Sequence, residues 1–201
     1  MEARMDDRDN IILDADTLDR ITEELARGET AGIDALFLAR GAPKPLVLPR
    51  PEEADLKESR LVDLYRYWRA LPTVDGVPRA DMVDPIDVAS TLRIVMLLEV
   101  VERGRDFRYL IYGQEIAERF GENMRGRLTS EMPVPANVSA LFIGGYRAVL
   151  GTRAPLLTEH AAPPTVSVTQ WRRLILPLAD ADGEVTQILV GNLPGTWRKP
   201  N

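Results

Sequence analysis

The chain has 201 residues, 45% hydrophobic and 28% charged, with no cysteine and a single histidine, His160. That is the make-up of a globular chain with a full core, and it excludes disulfides, thiolate metal sites, iron-sulfur clusters, thiol nucleophiles and bis-histidine haem. The formal charge of -6 lies entirely within residues 1–60, which carry 15 acidic and 9 basic side chains against 16 of each in the remainder, so no cationic surface of the kind that tracks nucleic acid is expected.

Met1 to Asn10 mix acids and arginines without an apolar core, and the apolar runs Ile94–Leu98 and Leu174–Ala179 are too short to cross a bilayer. The reading is therefore a cytoplasmic chain with no membrane partner. Asp16 and Asp19, with Leu18, Ile21 and Leu25 at helical spacing, predict a capped helix ending near Gly28. Ile33, Leu36 and Phe37 predict another short helix before Gly41. Pro43, Pro45, Pro49 and Pro51 cannot continue it and predict an extended tether. Residues 1–54 thus read as an acidic extension and 55–195 as the main domain.

Leu61, Leu64, Tyr65, Trp68 and Leu71 form one apolar stripe, which predicts a helix over 55–71. After a loop rich in proline and glycine, 94–102 and 106–113 read as strands joined by Arg103-Gly104-Arg105. Residues 114–120 and 136–150 read as helices, the second holding Gly144-Gly145, whose cost of about 1 kcal/mol each relative to alanine calls for close packing as compensation. Three strands follow, 155–162, 167–180 and 184–192, the last two joined by Asp180-Ala181-Asp182-Gly183. The expected fold class is α+β, a five-stranded antiparallel sheet with crossover helices on one face. Because Ile94–Leu98 and Leu174–Leu178 are apolar at consecutive positions, the second face needs cover as well. The Trp68 helix is the candidate, through Leu61, Leu64, Tyr65, Trp68 and Leu71, with a contact to a second copy of the chain as a further expected role.

A nucleophile elbow, a phosphate-cradling loop and a zinc-protease motif are all missing, so the expectation is a chain that is not an enzyme. Asp84 and Asp87 read as loop carboxylates, and no metal site is expected. His160 reads as a surface or capping residue at a strand end, which argues against haem. Candidate ligand-lining residues are Tyr109, Tyr112, Phe142, Tyr146 and Trp171, with Arg173 or Arg108 placed to meet a carboxylate or phosphate through the planar guanidinium. Strict alternation puts Phe107, Tyr109 and Ile111 on one sheet face and Arg108, Leu110 and Tyr112 on the other.

Several phrases in this order carry a resemblance: Leu64-Tyr65-Arg66-Tyr67-Trp68-Arg69, Asp84-Pro85-Ile86-Asp87, Phe107-Arg108-Tyr109 leading to Gly113, Phe120-Gly121 with Gly126-Arg127, and Arg172-Arg173-Leu174-Ile175-Leu176-Pro177-Leu178. Over residues 56 to 193 the chain resembles the PAS superfamily, more narrowly the short alphaproteobacterial PAS-like family of the PAS_5 type. The resemblance implies a five-stranded sheet enclosing a small pocket on its helical side, a sensory or regulatory role, and dimerisation through an N-terminal helix. Where relatives often carry Arg and Thr around the strand-ending glycine, this chain has Leu110 and Gln114. Without cysteine the flavin adduct of photosensors of this fold is excluded, and the cofactor stays open. Output is expected through a protein partner or a homodimer. The alternatives are an interaction module whose core its own aromatics fill, and a small-molecule enzyme with a hidden acid. A roomy cavity, a solid core and an isolated carboxylate on the cavity wall would respectively distinguish the three.

Overall fold

The computed structural model describes residues 14–84, 92–163 and 166–197. Helix α1, Ala15–Arg27, starts two residues earlier than a cap at Asp16 would set, because Asp14 is the cap: its carboxylate accepts from the Thr17 N–H at 2.6 Å. Helix α2, Ala31–Ala39, is tied to it where the Gly32 N–H donates to Glu24 at 2.7 Å. The proline-rich stretch then runs extended, as expected, and its middle forms strand β1, Leu46–Pro49. A single 3-10 turn over Glu53–Asp55 precedes α3, Ser59–Ala70. A two-rung hairpin, β2 (Thr73–Val74) and β3 (Val77–Pro78), follows it. Asp84 ends this described stretch, and Pro85, Ile86 and Asp87 of the Asp-Pro phrase lie outside the described residues.

The remaining elements are β4 (Val95–Val101), β5 (Asp106–Tyr112), α4 (Gln114–Phe120), α5 (Ala136–Thr152), β6 (Leu156–Ala161), β7 (Gln170–Ala179) and β8 (Val185–Pro194). All five strands read from the sequence are present, and they pair antiparallel. The sheet has six strands, in the order β1-β6-β7-β8-β4-β5. The sixth comes from the segment read as a tether: Leu46 to Pro49 pair with Glu159 to Leu156. Prolines exclude a segment from the middle of a sheet but not from its rim.

Both faces of the sheet are covered by hydrocarbon. On one, α1, α2, α4 and α5 pack with Met96, Leu98, Phe107, Ile175, Ile188 and Val190 into the larger core. On the other, Leu61, Leu64, Tyr65 and Trp68 of α3 pack on Val95, Leu157, Leu174, Leu176, Leu178 and Leu189. Consecutive residues of β4 and β7 therefore enter two different cores, which is why their sequences lack polar alternation. The paired glycines of α5 serve two neighbours. A Cβ at Gly145 would lie 3.5 Å from Leu156 and 3.6 Å from Ile175 on the sheet, and one at Gly144 would lie 3.2 Å from Ile21 of α1. Helix α5 is thus held between the sheet and the N-terminal helices. On the opposite face α3 rests on Gly191 of β8, where a Cβ would come within 2.7 Å of Leu64 and 2.8 Å of Leu61.

Candidate functional site

The inner ends of β5 to β8 bring a group of polar and aromatic side chains under α4 and α5. Strand β5 deviates from strict alternation. Leu97 pairs with Ile111 and Leu98 with Tyr109, so Leu110 is an extra residue in a bulge. The bulge resets the side-chain phase and turns Tyr112 to the same face as Tyr109. Their rings meet edge to face at 5.2 Å, which corrects the expectation that the two face opposite sides. Arg108 does not belong to the group. It stays on the exposed side of β5, 3.6 Å from Glu99.

Strands β6, β7 and β8 place their polar residues in rungs. Thr158, Arg173 and Asn192 are consecutive partners across three strands, and His160 pairs with Trp171 in the adjoining rung. Each has little exposure: 3% for His160, 3% for Arg173 and 2% for Asn192. Burial of His160 corrects its reading as a surface residue. The cause is the N-terminal segment, since β1 extends the sheet beyond β6 and Phe37 of α2 lies edge-on to the imidazole at 6.3 Å. Phe142 of α5 covers it from another side at 5.4 Å.

Arg173 reaches up from β7 so that its Cζ lies 3.6 Å from the centroid of Phe142, a cation-π contact. Its Nη1 donates to the Tyr146 hydroxyl at 3.3 Å. Its Nε, both ring nitrogens of His160 and Oδ1 of Asn192 are buried with no hydrogen-bond partner among the described residues. Unmet buried polar atoms are uncommon in folded chains and call for an explanation. Burial, and secondarily the charge of Arg173, push the imidazole of His160 down to about 3, so it is neutral at physiological pH. Burial raises the phenols of Tyr109, Tyr112 and Tyr146, which also stay neutral.

Between this polar group and the helices lies a narrow cleft of about 330 Å³, its mouth included. Tyr112, Phe142, Trp171 and Arg173 of the expected set line it, and His160 and Asn192 join them. Tyr109 and Tyr146 do not reach the cleft wall. They form the layer behind it, with Tyr146 edge-on to Phe107 at 5.2 Å. The far wall is apolar, built from Ile116 and Phe120 of α4, Met132 and Val134 of the connection, and Val138 of α5. With side chains placed as they are, the space takes little more than a water molecule. Among the described residues no Asp or Glu lines it, and no cluster of three His, Asp or Glu is arranged to hold a metal ion.

On the opposite face Leu61, Leu64, Tyr65 and Trp68 are buried against the chain's own sheet, and Leu71 is half-buried at the helix end. The Trp68 indole N–H donates to the Pro177 carbonyl at 2.8 Å, and the Tyr65 hydroxyl donates to the Pro51 carbonyl at 3.1 Å. Arg172, next to Arg173 on β7, points to this face. It lies 3.3 Å from Glu58, the cap residue of α3, bonds Glu159 at 3.0 Å, and donates to the Asp55 carbonyl at 3.0 Å. Two neighbouring arginines on one strand therefore connect the cleft on one face with the start of α3 on the other.

The described residues include no helix long and apolar enough to cross a membrane. No curated protein matches the chain in sequence. Among solved structures the chain is similar to an RNA-binding light-oxygen-voltage receptor, at 14% identity and a TM-score of 0.44, over 87% of this chain and 47% of that one. The chain thus spans about half the length of the structure it matches. The sequence model of the PAS domain family matches residues 56–193, the span that holds α3, the cleft and the five strands from β4 to β8. By this match, over more than half of its length, the chain belongs to the PAS domain family.

Proposed function

We propose that the chain is a non-catalytic sensory or regulatory module of the cytoplasm that takes up a small molecule on the helical side of its sheet and reports it through α3. The observation that carries this reading is the set of unmet polar atoms of His160, Arg173 and Asn192 at the wall of the cleft. A core filled for stability alone would not leave three such groups in neighbouring rungs, because each uncompensated buried polar group costs about 1–3 kcal/mol. The strand that carries Arg173 into the cleft also carries Arg172 to Glu58 and Asp55 at the start of α3. A guest that shifts β7 therefore acts directly on the anchorage of that helix. The lining offers no carboxylate among the described residues, which disfavours the alternative of an enzyme with a hidden acid.

A homodimer belongs to the proposal in a specific form. Leu61, Leu64, Tyr65 and Trp68 face the chain's own sheet, so a second copy or a protein partner would meet the outward side of α3, around Val62, Arg66 and Arg69. The narrowness of the cleft favours a second reading, in which the aromatics fill the interior and the chain works only by binding a protein. A screen of small metabolites against isotope-labelled protein tests the choice. The expected result is a compound whose chemical-shift changes cluster at His160, Arg173 and Asn192 and extend into Ser59–Ala70. A compound set that moves none of these residues would refute the sensory reading and favour the filled-core adaptor.

A further inference from the structure

Arg172 and Arg173 stand side by side and are provided for very differently. Arg172 has two carboxylates, Glu58 and Glu159, within 3.3 Å. Arg173 is the more buried and makes no ion pair among the described residues; its described partners are the hydroxyl and ring of Tyr146 and the face of Phe142, none of which carries a negative charge. A buried guanidinium without a counter-charge is a costly arrangement, whereas buried charges are ordinarily paired. The nearest polar neighbours do not supply the missing charge: His160, Asn192 and the tyrosines around them are neutral. Among the described residues the cleft is therefore short of one negative charge, at a point where a planar fork donor lies on its wall. Its other wall is hydrocarbon from α4, α5 and the connection between them.

On the sensory reading above, we propose that the guest is a short monocarboxylate with an apolar tail, its carboxylate held by Arg173 beside His160 and Asn192, and its tail lying between α4 and α5. A carboxylate matches the guanidinium fork in shape and brings the one charge the site lacks. A phosphate dianion brings a second charge, for which the cleft has no cation among the described residues. Because the space takes little more than a water molecule, the cleft has to widen to admit a guest, which limits the tail to a few carbons; Met132 on the apolar wall is an unbranched side chain able to shift and make that room.

Calorimetric titration of the full chain with butyrate and hexanoate, against 1-hexanol and hexylamine as matched controls, tests the proposal. Hexanoate is expected to bind at least tenfold more tightly than either control and to shift the side-chain resonances of His160. Arg173→Met, which removes the charge and keeps an unbranched apolar chain, is expected to abolish the preference for hexanoate over hexanol. If this variant does not fold, the His160 resonances of the unmodified protein provide the readout, moving with hexanoate and not with hexylamine. Equal binding of hexanol and hexanoate would overturn the anion assignment while leaving a guest site in place. Binding of some other metabolite at His160 and Asn192, with no response to either carboxylate, would do the same. No response at these residues to any compound would overturn both the assignment and the sensory reading.

Discussion

Acidification is the most direct probe of the buried histidine. In an unfolded chain an imidazole titrates at about 6.5, whereas burial and the Arg173 charge hold His160 down to about 3 in the folded state. The groups that face it from α2 and α5 are the phenyl rings of Phe37 and Phe142, which do not titrate. Because the folded value lies below the unfolded one, the unfolded chain takes up the proton first. The stability associated with His160 is fully present above the unfolded value and is lost as the pH falls toward the folded one. Integrating the difference in bound protons gives a loss of about 2 kcal/mol between pH 7 and pH 5, and about 5 kcal/mol across the whole window. The first figure is insensitive to the folded value so long as that stays below about 4, since the folded protein then remains unprotonated throughout the interval. Urea denaturation of the unmodified protein and of His160→Phe at pH 7, 6 and 5 measures it, with the titration of the shared carboxylates cancelling in the difference. The expected outcome is a gap between the two that shifts by about 2 kcal/mol in favour of the variant on going to pH 5. Curves that run parallel with pH would show that the imidazole takes its proton in the folded state and would refute the reasoning.

The glycines at close approaches supply further tests. Gly145→Ala places a Cβ at ordinary contact distance from Leu156 and Ile175 and removes a mid-helix glycine, so it should raise stability by up to about 1 kcal/mol, read as a higher denaturation midpoint. Gly144→Leu, by contrast, meets Ile21 and Leu25 and should release α1, seen as faster amide exchange over Ala15–Arg27 with β7 and β8 still protected. Gly191→Val should lift α3 from the sheet at a cost of about 1–3 kcal/mol, with loss of the hydrogen-bonded Trp68 indole signal. An unchanged indole resonance would mean that Leu61 and Leu64 can swing aside.

The elements with strong periodicity were legible in the sequence because each has one dominant constraint. The stripe from Leu61 to Trp68 and the apolar runs of β4 and β7 required a two-sided sheet, and the structure has one. What was not legible depends on residues distant in the chain. The Leu110 bulge turns Tyr112 inward, and nothing in the run from Phe107 to Tyr112 marks where the extra residue falls. His160 sits at the end of its own strand, and only the arrival of β1 and α2 makes that end an interior. Asn192 and Arg173 offered a usable signal, since each interrupts an apolar strand at an inward position. Combining the two needed the register of β7 with β8. Arg108, a candidate for its guanidinium fork, precedes the bulge and lies on the exposed side, opposite Tyr109, where alternation puts it.

The outer rim of β1 limits how copies of this protein can meet. The Arg50 N–H bonds inward to the Pro155 carbonyl at 2.8 Å, so by antiparallel alternation Leu48 and Leu46 also bond inward, and Pro49, Val47 and Pro45 turn their backbones to solvent. Two of those three have no amide hydrogen, leaving Val47 as the sole outward donor on that rim. At the opposite margin the outward amide and carbonyl of Tyr109 are taken by Arg127 and Gly126, at 3.0 and 2.7 Å. Lateral polymerisation, in which one sheet grows into the next by adding strands, is thereby blocked at both margins. Self-association by strand addition to the main sheet is thus disfavoured, which favours the helical surfaces, where a change in α3 can be felt.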